Sequence, residues 1–204
     1  MVKSTNLLKE ELKQYKQPVN KINRMVKDGE LFPLIKGKYE TNKNVHPFAL
    51  ARSICSPSYI SFDSALSYYG LIPEAVYSVT SATFNKRKSH SYQTYFGNYY
   101  FEDIPANIYF YGVILVRLND NYSFHIASKE KALCDKLYKR KPISNLKEME
   151  NVLFDDLRID EDILATFDME EMKFYSENYK STNVMLLYKF LRRMKNEYSV
   201  KTND

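Results

Sequence analysis

Gln17 to Asn42 reads QPVNKINRMVKDGELFPLIKGKYETN, and two different periodicities meet inside it. Val19, Ile22 and Val26 recur at spacings of three and four, which places them on one face of a helix with Met25 at its edge. The opposite face carries Asn20, Lys21, Arg24 and Lys27. Pro18 suits a first helical turn, where a missing N–H costs nothing, and Gly29 suits the position just past the helix end. Beyond it, Leu31–Ile35 and Lys38–Thr41 are expected to pair as two short strands about Lys36-Gly37. A basic helix followed by a glycine-tipped ribbon is the outline of a winged helix-turn-helix, abbreviated here to two helices before the wing. In such a module one element enters the major groove and another grips phosphates. Asn20 and Arg24 are accordingly expected at base edges, and Lys21, Lys27, Lys36 and Lys38 at phosphates.

The charge distribution points the same way. Met1 to Val45 holds ten Lys or Arg against five Asp or Glu, an excess equal to the +5 of the whole chain. From Val45 onward the two signs balance. Such asymmetry between segments is the footprint of a module that meets nucleic acid or another anionic surface. A solvated lysine-rich helix pair would carry the same charge, so the helix-to-ribbon pattern is what selects DNA.

With 204 residues, 44% of them hydrophobic, the chain can bury a sizeable core and accommodate one small module and one larger domain. Its 18 Tyr and 12 Phe supply core and also amphipathic surface suited to a protein partner. Cys55 and Cys134 are the only cysteines and do not form a C-x-x-C pair, as expected of a reduced compartment. No charged-then-apolar leader opens the sequence, and no apolar run approaches the ~20 residues needed to span a bilayer. A soluble, cytoplasmic protein with no membrane partner is the expectation.

Ser4 or Thr5 can cap a helix over about Thr5–Tyr15 that buries Leu7, Leu8 and Leu12. The polar stretch Asn42–Pro47 reads as a linker, which divides the chain into residues 1–45 and 46–204. In the second part a short helix (Phe48–Ile54), a strand (Ser58–Ser61) and a helix ended by Gly70 precede a Val- and Thr-rich strand over Val76–Phe84. His90–Phe96 and Tyr99–Glu102 read as a hairpin turning at Gly97-Asn98, and Val113–Leu118 with Tyr122–Ile126 as another. Ser128 caps a helix whose first turn is charged and whose stripe is Ala132, Leu133, Leu137 and Tyr138. Three or four amphipathic helices are expected over Asn145–Tyr198. The fold class is therefore α+β: a winged helix-turn-helix followed by a larger mixed domain, strands first and helices last.

Signals of catalysis are thin. No two of the five glycines, at 29, 37, 70, 97 and 112, are close enough for a Walker loop or a dinucleotide fingerprint. His46, His90 and His125 have no second ligand at helical or ribbon spacing. Asp155-Asp156 and Asp160-Glu161-Asp162 lie among apolar residues in a pattern that suits helix N-termini and solvated faces. The serines carry no G-x-S-x-G elbow. No catalytic residue, metal or cofactor is expected. A metal-dependent nuclease built from scattered carboxylates, and a protein-interaction module that binds no DNA, are the alternatives.

Several ordered blocks carry a resemblance. PSYISFDSALSYYGLIPEAVYSVTSAT (Pro57–Thr83) resembles a segment of AbiEi-family antitoxins, in which a Tyr-Ile-Ser strand leads into a Ser-Ala-Leu-x-Tyr-x-Gly-Leu helix and an Ile-Pro turn. NKRKSHSYQTYFGNYYFEDI (Asn85–Ile104) is similar to the family's basic turn and hairpin, and IASKEKALCDKLY (Ile126–Tyr138) to its Ala-Ser-x-Glu-Lys-Ala-Leu helix. KINRMVKDGELFPLIKGKY (Lys21–Tyr39) looks like the family's winged-helix end. The resemblance implies the antitoxin of a bacterial toxin-antitoxin system of abortive infection. It would repress its own operon by binding promoter DNA, as one copy or cooperatively as a dimer. It would also oppose an AbiEii-type toxin of nucleotidyltransferase fold, whether or not the two proteins touch. The surface expected to oppose the toxin comprises the basic turn Lys86-Arg87-Lys88 and the helix cations Lys129, Lys136, Lys139 and Arg140, with Lys131 adding charge nearby.

Overall fold

The computed structural model describes residues 1–201, with side chains through Glu197; residues 202–204 of the second part, and the Tyr198 side chain, lie outside the described residues. The elements run β1 (Lys3–Ser4), α1 (Thr5–Glu11), α2 (Pro18–Lys27), β2 (Phe32–Ile35), β3 (Lys38–Glu40), α3 (Ala51–Ile54), β4 (Tyr59–Ile60), α4 (Phe62–Tyr68) and β5 (Val79–Thr83). There follow β6 (His90–Thr94), β7 (Gly97–Asp103), β8 (Val113–Asn119), β9 (Tyr122–Ala127), α5 (Lys129–Tyr138), α6 (Leu146–Asn151), α7 (Glu161–Ala165), α8 (Met169–Asn178) and α9 (Thr182–Lys201). The protein is mixed α+β. Among the described residues no helix is long and apolar enough to cross a membrane.

The first forty residues close a three-stranded sheet of order β1-β3-β2, with α1 and α2 inserted between its first two strands in sequence. Ser4 caps α1 by accepting from the Leu7 N–H at 3.2 Å. Leu8, Ile22 and Leu31 form a small core of their own, to which Leu12, Met25, Val26 and Tyr39 are added. The expected helix faces need correction at two places. Val19 is 47% and Leu7 46% exposed, because α1 ends at Glu11, too short to cover the first turn of α2 or to bury both of its leucines.

This unit is fastened to the rest of the chain. Phe32 packs against Tyr95 and Phe96, and the Tyr95 N–H donates to the Pro33 carbonyl at 3.4 Å. Glu40, fully buried, accepts from the Met1 amine, the Tyr122 hydroxyl at 2.8 Å and the Thr41 and Asn42 N–H groups. Burial alone would raise its pKa, but these donors outweigh it and hold the carboxyl below the usual value.

The second sheet has six strands in the order β6-β7-β5-β4-β9-β8. Its parallel pairs are β5/β7 and β4/β9, and its antiparallel pairs are β6/β7, β4/β5 and β8/β9. Tyr99 and Phe101 are fully buried on this sheet. The turn of the first hairpin falls at Tyr95-Phe96, with Thr94 opposite Gly97, two residues before the expected Gly97-Asn98. The Thr94 hydroxyl accepts from the Phe96 N–H at 3.0 Å, and Gly97 takes a φ of +106°. At the far end of the sheet β8 is the terminal strand, with Ile114, Leu115 and Leu118 exposed.

Helix α5 lies at the centre of the molecule and is buried on nearly every side. Its charged first turn is not the solvated element the sequence suggests: Lys131 and Asp135 have no exposed side-chain surface, and the two meet at 3.0 Å. Asp135 also accepts from Tyr59 at 2.9 Å, Ser61 at 2.7 Å and Tyr179 at 2.5 Å. Lys131 sits beneath the rings of Tyr59, Tyr175 and Tyr179, 4.6 Å from the last. At the helix C-terminus Asn183 of α9 donates to the carbonyls of Leu137, Arg140 and Lys141 and accepts from the Ile143 N–H. The free chain end of α5 is thereby satisfied from another helix.

Gly112 marks how tightly this centre is packed. Its φ is +65°, and a Cβ there would lie 2.0 Å from the Tyr175 hydroxyl and 3.2 Å from Lys131 Cβ. Gly70 has a similar φ of +69° with nothing within 4 Å of a Cβ. Gly112→Ala should therefore cost about 2–5 kcal/mol, strain plus overpacking, against about 1–2 for Gly70→Ala. Urea unfolding of the two variants checks this, and equal costs would contradict the packing described. Asp135→Ala, which leaves the Lys131 ammonium buried without its counter-charge, should cost about 3–5 kcal/mol on the same measurement. For Glu40 the depressed pKa means a contribution present in full above the unfolded value near 4.5 and lost as pH falls through the lower folded value. Amide exchange at Thr41 and Asn42 should quicken there relative to intrinsic rates. Glu40→Gln should lose that step.

Candidate nucleic-acid interface and the charged faces

Exposure sorts the expected DNA contacts on and beside α2. Arg24, Lys27 and Lys36 are exposed and make no ion pair among the described residues. Asn20 is exposed, its amide donating to Gln17 one turn back. Lys21 is half-buried, its ammonium 5.7 Å from the Tyr15 ring centre. Lys38 is different: its ammonium turns inward and donates to the Ser53 carbonyl at 2.6 Å, so it ties the hairpin to α3 and is not presented to a phosphate. The reason is its place in β3, on the side of the sheet that faces α3, whereas Lys36 sits at the tip with Gly37 at a φ of +79°.

The expected antitoxin surface separates into two parts. In the basic turn the Lys86 and Arg87 N–H groups both donate to Asp103, at 2.6 and 2.8 Å, and Asn85 and Arg87 take positive φ. The Lys86 ammonium is spent on the Ser56 carbonyl at 2.7 Å, while Arg87 and Lys88 remain exposed. Asp103 was not singled out in the sequence, yet it holds the turn. Its conformation-setting role had no local signal, since the contact spans 16 residues or more.

Along α5 the cations are paired. Lys136 meets Asp63 at 2.7 Å, Lys139 meets Glu102 at 3.2 Å and Arg140 meets Asp156. Lys136, Lys139 and Arg140 line a cavity of about 310 Å³ together with those first two carboxylates. Lys129 is held at the Thr166 carbonyl and hydroxyl and lies over the Phe167 ring. Lys131 is buried, as described. The expected strip of free positive charge is thus a set of internally compensated pairs. Glu102 and Asp103, neighbours on β7, bring the two parts side by side by holding one from each.

A second cavity, of about 400 Å³, lies between α3, the segment after it and β9, with Arg52 and His125 in its wall. The Arg52 guanidinium approaches His125 Nδ1 at 3.4 Å, and burial together with Arg52 holds the imidazole below its ordinary pKa. Sequence reasoning treated His125 as an isolated histidine and passed over Arg52. Their separation of 73 positions left nothing to find. Among the described residues no three His, Cys, Asp or Glu side chains converge as a metal ion would require.

In comparisons with known proteins, no family model matches this chain and no curated protein matches it.

Proposed function

We propose that the chain is a DNA-binding autoregulator and antitoxin of the AbiEi type, with a winged helix-turn-helix over residues 1–45 and an α+β antitoxin domain over residues 46–204. The observation that carries this reading is the juxtaposition of α2 and the hairpin. Ile22 faces a small private core while Asn20, Arg24 and Lys27 stay exposed on the same helix, and Lys36 is exposed at the glycine-tipped turn. A single helix that buries one face and frees a cationic one can lie in a major groove, with the hairpin tip on the flanking backbone. β1 supports it further by completing a third strand beside β3, which gives the two-helix module a full sheet to rest on. The resemblance of the second part supplies the antitoxin half of the reading.

The inward turn of Lys38 lowers the expected number of phosphate contacts. With Arg24, Lys27 and Lys36 free, log K against log salt should fall with a slope of about −3 per module, and twice that for two copies on an inverted repeat. Fluorescence anisotropy on the chain's own promoter region at several KCl concentrations measures it; a flat response sinks the DNA reading. Arg24→Ala should lose ~1–3 kcal/mol and relax sequence preference, whereas Lys38→Ala should leave binding to all sequences nearly unchanged.

The antitoxin half is tested in cells. Full-length chain carrying Arg24→Ala and Lys36→Ala should lose repression yet still protect a host in which an AbiEii-type toxin is induced from an unrelated promoter. Changing Arg87 and Lys88 to Ala should reduce protection and leave repression intact. Protection that vanishes with DNA binding would refute the division between the two parts.

A further inference from the structure

We infer that the cavity beside Arg52 and His125 is a binding site for a small phosphate monoester with a planar organic group, as in a nucleoside monophosphate. The inference is independent of the DNA-binding reading. It rests on five observations of the same place.

The first is charge. No carboxylate lines the cavity of about 400 Å³, while Arg52 does, and Arg52 forms no ion pair among the described residues. Its one side-chain hydrogen-bond partner among the described residues is His125 at 3.4 Å. The second is an orphan. Ser58, only 5% exposed, belongs to the cavity wall, and its buried hydroxyl has no hydrogen-bond partner among the described residues. A buried hydroxyl without a partner is costly, and a ligand acceptor relieves it. The third is the imidazole: with its pKa held down it is neutral near pH 7, and Nδ1 accepting from Arg52 leaves Nε2–H as a donor. Guanidinium and imidazole N–H, with the serine hydroxyl behind them in the same wall, are donors of the kind a tetrahedral oxyanion takes.

The fourth observation is that two further cations are fixed at residues of the same wall. Lys38 donates to the Ser53 carbonyl at 2.6 Å and Lys86 to the Ser56 carbonyl at 2.7 Å, and both serines line the cavity. Asp103 acts on the same segment and offsets one of these charges, so Arg52 and one lysine leave the wall net positive for an entering phosphate. The fifth is aromatic. A smaller cavity of about 120 Å³ shares Arg52, Ser58 and His125 and adds Tyr109 and Phe110. Phe110 is 72% exposed and packs edge-on against Tyr109 at 4.9 Å. A flat ring carried by the phosphate can stack there.

The test uses the full-length protein with three probes: inorganic phosphate, AMP and adenosine, each titrated by calorimetry or by NMR of the His125 ring. AMP should bind, inorganic phosphate should bind more weakly, and adenosine more weakly than AMP. Arg52→Ala, an exposed position whose loss leaves the core intact, should weaken AMP by at least about tenfold. Ser58→Ala should unfold at the same or a higher temperature without ligand, because the orphan hydroxyl is gone, and yet bind AMP less tightly. Phe110→Ala should weaken AMP and leave inorganic phosphate unchanged. Absence of AMP and phosphate binding, or AMP binding unaltered by Arg52→Ala, would overturn the site. Equal affinity for AMP and inorganic phosphate would overturn the assignment of a planar group.

Discussion

Asp135 accepts from four side chains that belong to four different parts of the chain: Tyr59 on β4, Ser61 before α4, Lys131 on its own helix and Tyr179 just after α8. A carboxylate taken wholly out of water is tolerable only when its oxygens are filled and a counter-charge is close. That requirement fixes the relative positions of sheet, α4, α5 and α8 more sharply than apolar burial could, since hydrophobic surface is indifferent to small slides. The neighbouring aromatic rings serve the same centre. They give the Lys131 ammonium a face to rest against where no water reaches, and the Tyr59 and Tyr179 hydroxyls stay protonated donors because burial and the adjacent carboxylate push their ionisation well up.

The charge pattern of the molecule has two registers. Beyond the first forty residues the positive side chains of α5 and the residues just after it are spent on Asp63, Glu102 and Asp156 or on carbonyls, so charge there is balanced locally as well as in total. On α2 and at the tip of the following turn the cations have no such partners. Unpaired cations stand together on the α2 face and the hairpin tip, at Arg87-Lys88 and, beside a cavity, at Arg52. Each faces solvent or a cavity, which is where an anionic partner can reach it.

What was readable in the sequence followed local chemistry. The cap at Ser4, the breaks at Gly29 and Gly70, and the alternation that paired Phe32–Ile35 with Lys38–Glu40 all depend on residues within one turn of each other. Elements whose state is decided at long range were misread. The spacing of Lys131 and Asp135, four apart, is what a solvated helix face uses, and only the unbroken run Ala132-Leu133-Cys134 between them hinted that no face of α5 was free. Glycine is the strongest local cue for the hairpin turn, but Tyr95 and Phe96 occupy the turn itself, where they pack on the distant Phe32. The inward Lys38 and the anchoring Asp103 were invisible for the same reason. Of the cavity, no member points to another: Arg52 is on α3, Ser58 in the connection before β4 and His125 on β9, and the serine is notable only for a bond it lacks.

The two sheets end in chemically unlike borders. β2 carries Pro33, which has no N–H to offer, and the Pro33 carbonyl is already taken by Tyr95; that border cannot recruit another strand. At the opposite end of the six-stranded sheet β8 offers seven residues without a proline, irregular only between Arg117 and Asn119, with Ile114, Leu115 and Leu118 exposed. The border at β2 is therefore sealed where the small unit docks, and the border at β8 is open to a further strand.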